Sequence, residues 1–357
     1  MPHSAVYSGV GNFFNDRELT EVTFAVGVTM IDMCAFSGCS SLTAITIPDG
    51  VTKIGREAFH GCSSLKAIII PDGVTTIGVS AFRECSSLTA ITIPDGVKSI
   101  GEHAFRGCSS LTAITIPDSV TMIGDEAFRY CPALTAITIP DGVTMIGDEA
   151  FRYCSALKAI TIPDGVTTIG ARAFMGCSSL TAITIPDGVT TIGESVFSRC
   201  SSLTAITIPD YVTTIGWWAF QGCSSLAAIT IPDSVTTIGS DAFRNCSSLT
   251  KLILSPAVSI GADCFLDCTA LITAAADKNM PTVADLLHYR WHRKPAVMER
   301  VNALLCLKGT WDHVENQPSG PDSLKRKRTD GAEAPLRVTE TREKIPKVLW
   351  RVILEFL

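Results

Sequence analysis

Apolar residues along this chain recur with a period of 23. In the unit that begins at Cys177 they are Leu180, Ile183, Ile185, Val189, Ile192, Val196 and Phe197, set among Ser, Thr, Gly and acidic residues. The cysteines keep the same beat at Cys39, Cys62, Cys85, Cys108, Cys131, Cys154, Cys177, Cys200, Cys223 and Cys246. A fixed repeat of this size marks a solenoid or array. Nine 23-residue units follow Cys39, and a tenth, starting at Cys246, is one residue short. A degenerate first unit begins at Asp16 and keeps Leu19, Val22, Phe24, Val28, Ile31, Ala35 and Phe36 in register. The pattern therefore predicts eleven coils over residues 16–267, then a half-coil opened by Cys268 and Leu271.

Within a unit, Leu-x-x-Ile-x-Ile alternates, which predicts a short strand with Ile inward and Thr outward. Pro-Asp-Gly ends it as a turn. Val-x-x-Ile-Gly makes a second extended piece. The stretch around Ala-Phe has room for one helical turn at most. Stacked coils then form a parallel sheet along one face, with strands about 4.8 Å apart. A lone coil leaves both its apolar faces open, so stability must accumulate along the stack.

The string Leu-x-x-Ile-x-Ile-Pro-x-x-Val-x-x-Ile-Gly-x-x-Ala-Phe-x-x-Cys resembles the BspA-type leucine-rich repeat, and the resemblance covers residues 16 to about 271. It implies a right-handed leucine-rich-repeat superhelix with a binding, adhesive or scaffolding role and no catalytic residues. The family is known from bacterial surface antigens and from large families in unicellular eukaryotes.

Composition narrows the remaining classes. Of 357 residues 46% are hydrophobic and 18% charged, which excludes a disordered chain. No run approaches the roughly 18 apolar residues of a membrane span. Met1 to Phe14 lacks a charged segment followed by an apolar one, so no signal peptide is expected and a cytoplasmic or nuclear location is. Ten of the 14 cysteines are one structural position, expected as small buried filler. Their parallel side chains argue against bridging, and no CxxC pair with a matching His pair suggests zinc. The turn aspartates from Asp49 to Asp233 form a carboxylate row that lacks further calcium ligands, so an Asx-type cap on each turn is expected. Neither metal nor cofactor is expected.

Recognition has to come from positions that vary. The strand face offers an alanine row (Ala44, Ala67, Ala90) and a threonine row (Thr46, Thr92, Thr115) interrupted by Ile69, a flat surface with little hydrogen-bond specificity. Variation sits on either side of Ala-Phe. Arg83, Arg106, Arg129, Arg152 and Arg244 share one offset there, and acids precede them, with Asp125–Arg129 and Asp148–Arg152 as i,i+4 pairs. Two readings stand: a solvated, salt-bridged edge, or a charged strip that docks a partner beside Tyr130 and Tyr153. Trp217 and Trp218 take offsets that are small or charged in other coils. They are hot-spot candidates, unless one folds over the neighbouring coil.

The net charge of −6 hides two parts. Residues 269–357 carry 15 Lys/Arg and 11 Asp/Glu, net +4, and the remainder is −10. The expected organisation is a lead-in over residues 1–15, the solenoid over 16–275, a short α-helical C-terminal cap over 276–310, a flexible basic linker over 311–344 and an apolar helix over 345–357. Lys325, Arg326, Lys327 and Arg328 look like a nuclear import signal. The last helix, with Leu349, Trp350, Ile353 and Phe356, resembles the opening helix of an F-box over about thirteen residues. That resemblance implies adaptor binding in ubiquitin ligation; the other reading is a helix that docks on the solenoid's own cap.

No nucleophile–base pair, metal set or phosphate loop points to catalysis. The expectation is a non-enzymatic intracellular scaffold that binds a protein partner, with no nucleic acid and as a monomer. The alternatives are a BspA-like surface adhesin and a substrate receptor of ubiquitin ligation.

Overall fold

The computed structural model describes residues 3–9, 11–254 and 258–271. They form a parallel-strand β-solenoid in which each coil lays down two short strands. The first is the tripeptide of the Ala, Ile and Thr rows, such as Ala44–Thr46, Ala136–Thr138 and Ala159–Thr161. Its burial alternates exposed, buried, exposed, as the period-two pattern requires. The second is a dipeptide ending in the repeat's Ile, such as Lys53–Ile54 and Thr76–Ile77. Both pair in register with the same residues one coil away: Ala136 with Ala159 and Ile137 with Ile160, Lys53 with Thr76 and Ile54 with Ile77. Where one parallel sheet was expected there are two strips, on either side of the Pro-Asp-Gly turn, in runs of two to four strands.

The turn itself is closed by its main chain, with Val51 N–H donating to Pro48 O at 3.0 Å and Val143 N–H to Pro140 O at 3.0 Å. The expected Asx cap is not what holds it. Asp49, Asp72 and Asp141 stand exposed, and their carboxylates accept no hydrogen bond from the described residues. The i to i+3 bond spans Asp49 and Gly50, and the main chain closes the turn without a side-chain cap.

The third side runs from Gly to Cys and contains no helix. The residue at offset 18 from each Cys has φ of 53–58° from Glu57 through Asp241, although none of the nine is a glycine. One left-handed residue stops a helix before its first full turn. The freed main-chain groups bond to the next coil instead: Phe59 N–H donates to Ala81 O at 2.8 Å, and Phe128 N–H to Ala150 O at 2.8 Å.

The core is one continuous column. Twelve phenylalanines from Phe13 to Phe265 stack ring on ring, with centroids 5.1–5.8 Å apart. Beside them runs the cysteine row, and all thirteen described cysteines are free thiols. Each thiol of the row donates to the carbonyl of the Phe one coil back: Cys85 Sγ to Phe59 O at 3.1 Å, Cys131 Sγ to Phe105 O at 3.1 Å, Cys154 Sγ to Phe128 O at 3.1 Å. That carbonyl already accepts Cys62 N–H at 3.2 Å in the Phe59 case, so the thiol fills its second lone pair. Cysteine is thus more than filler. It is small, apolar and able to donate into a space without water.

The glycine after the repeat's Ile has a different reason to be there. Gly78 does not have positive φ, yet a Cβ on it would lie 2.5 Å from Arg56 N and 2.6 Å from Gly55 C, both main-chain atoms of the previous coil. Gly78→Ala must push two coils apart, and we expect a loss of about 3 kcal/mol in urea unfolding. At Gly193 the nearest atom to an added Cβ is a Val196 methyl at 3.6 Å, so Gly193→Ala should be neutral or slightly stabilising.

At the N-terminal end the repeat geometry extends upstream of Asp16. Phe13 stacks on Phe36 at 5.7 Å, and Asn15 takes the left-handed conformation that Gly38 takes one coil later. Strand β1 (His3–Tyr7) then pairs in parallel with β2 (Leu19–Phe24), and Tyr7 closes the core with its hydroxyl accepting Asp32 N–H at 2.9 Å. The expected helical cap, linker and C-terminal helix lie outside the described residues.

Candidate functional site

The variable positions gather on the Gly-to-Cys side. In the central coils they form a chain of alternating charges. Arg106 pairs with Glu126 at 2.8 Å, Glu126 with Arg129 at 2.9 Å, Arg129 with Glu149 at 2.6 Å and Glu149 with Arg152 at 2.9 Å. Arg172 continues it toward Glu149 at 3.9 Å and bonds Glu194. The expected Asp125–Arg129 and Asp148–Arg152 pairs do not form. Helical i,i+4 spacing requires a helix, and the left-handed φ at Glu126 and Glu149 turns those residues toward the arginines instead. Asp125 and Asp148 accept main-chain N–H groups of the next coil, from Asp148 at 2.8 Å and Ala171 at 2.7 Å.

Glu149 stands between three arginines with a side chain only 15% exposed. Glu149→Gln leaves their charges facing each other in a half-dry site. We expect a stability loss of about 2 kcal/mol, shrinking in high salt.

Two tyrosines cover this network. Tyr130 and Tyr153 stack at 5.2 Å, with the Arg129 guanidinium 4.8 Å from the first ring and that of Arg152 5.0 Å from the second. Arg129 also donates to the Tyr130 hydroxyl, and that bond lowers the phenol's pKa. Arg83 and Arg244 lie outside the chain of charges, each paired locally, with Glu84 at 3.2 Å and Asp241 at 3.1 Å. Three of the five predicted arginines therefore form one surface and two do not.

Trp217 and Trp218 meet edge to face at 6.2 Å. Trp217 is 59% exposed, and its indole lies over Gly239 of the next coil, where a Cβ would strike it. It both folds over its neighbour and stays open to solvent. Trp218 is half-buried in the left-handed position. The sequence reading overlooked Tyr211, which is 67% exposed. Its signal was present: it stands in place of the Gly or Ser that follows Pro-Asp in other coils. Leu349, Trp350, Ile353, Phe356 and Lys325 to Arg328 lie outside the described residues.

Among the described residues no group of three or more His, Cys, Asp or Glu is placed to hold a metal ion, and no helix is long and apolar enough to cross a membrane. The exposed Tyr130, Tyr211 and Trp217 and the half-buried arginines are instead of the kind that anchor protein interfaces.

A column of parallel coils with an apolar ladder and a variable edge is a leucine-rich-repeat solenoid. More narrowly, the BspA type leucine rich repeat region, six copies long, matches residues 10–135, 76–204, 121–250 and 167–289, and the chain belongs to that family. A leucine-rich repeat protein from Bacteroides ovatus is similar in structure at 33% identity and TM-score 0.65, with 72% of this chain and 73% of that one covered. A leucine rich cell surface protein from Faecalibacterium prausnitzii aligns at 33% identity over 63% of this chain and 82% of that one, with TM-score 0.34. No curated protein matches the chain. The matched family regions end at residue 289, short of the F-box-like segment.

Proposed function

We propose that this chain is a non-enzymatic scaffold that binds a protein partner along its Gly-to-Cys edge. The observation that carries the reading is the contrast between two faces. The sheet face repeats Ala and Thr coil after coil, and Ile69 is the one large exposed hydrophobic side chain that interrupts those rows among the described residues. The opposite edge varies, and it presents the stacked Tyr130 and Tyr153, their arginines, and Trp217. The arginines are neutralised by glutamates, so the edge fits a mixed-charge protein surface rather than a phosphate backbone.

The free thiols support a reducing compartment, since each of ten coils keeps an unpaired cysteine. We accordingly place the protein inside the cell, with a BspA-like surface adhesin as the competing reading. Staining intact and permeabilised cells with one antibody separates them: signal only after permeabilisation supports the first, and signal on intact cells sinks it. Binding is tested by affinity capture with wild type and with Tyr130→Ser/Trp217→Ser. Saturable capture that weakens at least tenfold in the variant supports this edge, and equal capture contradicts it.

A further inference from the structure

We propose that two copies of this chain join head to head through β1, as antiparallel strands about a two-fold axis at Ala5. The argument starts from the ladder. His3 N–H donates to Glu18 O at 3.1 Å and Tyr7 O accepts Ala25 N–H at 2.9 Å, so His3, Ala5 and Tyr7 direct their main-chain groups to β2. In a parallel pair the intervening residues face the other way. Ser4 and Val6 therefore turn their N–H and C=O groups away from the solenoid, and β1 is bonded to β2 alone among the described strands.

Such an edge is normally guarded by Lys, Pro or an inward charge. The run His3-Ser4-Ala5-Val6-Tyr7 has none, and its one ionisable side chain beside the buried Tyr7 is His3, held by Asp16 at 3.1 Å. Among the described residues this end is also the richest in exposed large hydrophobic side chains. Of eight exposed large hydrophobic side chains among the described residues, four are Val6, Phe14, Val26 and Met33.

The occupant follows from symmetry. The two outward residues flank Ala5 equally, so a two-fold axis through Ala5 sets Ser4 opposite Val6 of the second copy and Val6 opposite its Ser4. Both become hydrogen-bonded pairs, each exchanging its main-chain N–H and C=O. An axis normal to the sheet keeps both Ala/Thr faces on one side and makes the sheet continuous across two molecules. A C2 interface needs this self-complementarity. A dimer is thus proposed in place of the monomer expected from the sequence.

The test uses the full chain in light scattering across a concentration series. Wild type should show the dimer mass and dissociate on dilution. Ser4→Lys/Val6→Lys and Ser4→Glu/Val6→Glu alter side chains that are exposed in the single chain, so both should keep the wild-type circular dichroism and run as monomers. In the proposed register each introduced Lys then faces an introduced Glu when the two variants are mixed, and the mixture should regain the dimer mass. A wild type that stays monomeric overturns the proposal. So does a dimer that persists in either charged variant, or a mixture that fails to pair.

Discussion

Raising the pH from 8 to about 10 should unfold the solenoid cooperatively, well before its arginines titrate. The cause is the cysteine row. Burial pushes the thiols of Cys85, Cys131 and Cys200 up to about 12, and those of Cys62, Cys108, Cys154, Cys177 and Cys223 also upward. An unfolded thiol titrates near 8.5. The folded state therefore holds protons that the unfolded state releases. Stability is complete below about pH 8.5 and falls as pH rises toward the folded value. At pH 10 each of the three thiols held near 12 favours unfolding by about 2 kcal/mol, and the other five act in the same direction. The combined effect is comparable with the roughly 5–15 kcal/mol of a typical domain. Circular dichroism against pH should show one steep transition between about pH 9 and 10.5. Replacing Cys131 and Cys154 by Ala should move that transition upward while lowering stability at pH 7, because each Phe carbonyl loses its second donor.

Phe128→Ala should be the most damaging single substitution in the core, at about 4 kcal/mol. The ring is fully buried and stacked on both sides, 5.5 Å from Phe105 and 5.3 Å from Phe151. Removing it leaves a gap in a column whose neighbours are fixed by their own main-chain ladders, so collapse cannot fill it. Position gives this substitution a second effect. In a linear stack each coil leans only on its neighbours, so a weak middle interface uncouples the two halves. Urea unfolding should broaden or split, with a lower apparent slope. Phe13→Ala, at the end of the column with a neighbour on one side, should cost about half as much and leave the transition single.

Much of this fold is legible in the sequence because the period repeats its signal. Inward Ile and outward Thr, the Pro-Asp-Gly corner and the cysteine row all follow from spacing. What the spacing does not carry is backbone conformation at residues that look ordinary. Glu126 and Glu149 read as helix-compatible, yet both are left-handed, and that one angle re-pairs the whole arginine strip. The glycine after Ile reads as the end of an extended piece, and its spacing does not reveal that at Gly78 it marks a close approach of two main chains. Phe13 reads as lead-in because Asp16 replaces the cysteine that would announce its coil. Tyr211 escaped notice because the eye follows the apolar period, and it sits at a turn.

The central claim is that the varied edge, and not the uniform sheet, meets a protein partner. Site-specific photo-cross-linking tests it most directly, with the probe placed in turn at Tyr130, Trp217 and Thr138 in cells that express the protein. The account predicts a discrete cross-linked protein from positions 130 and 217 and none from 138. Cross-links from 138 alone, or the same products from all three positions, would contradict it.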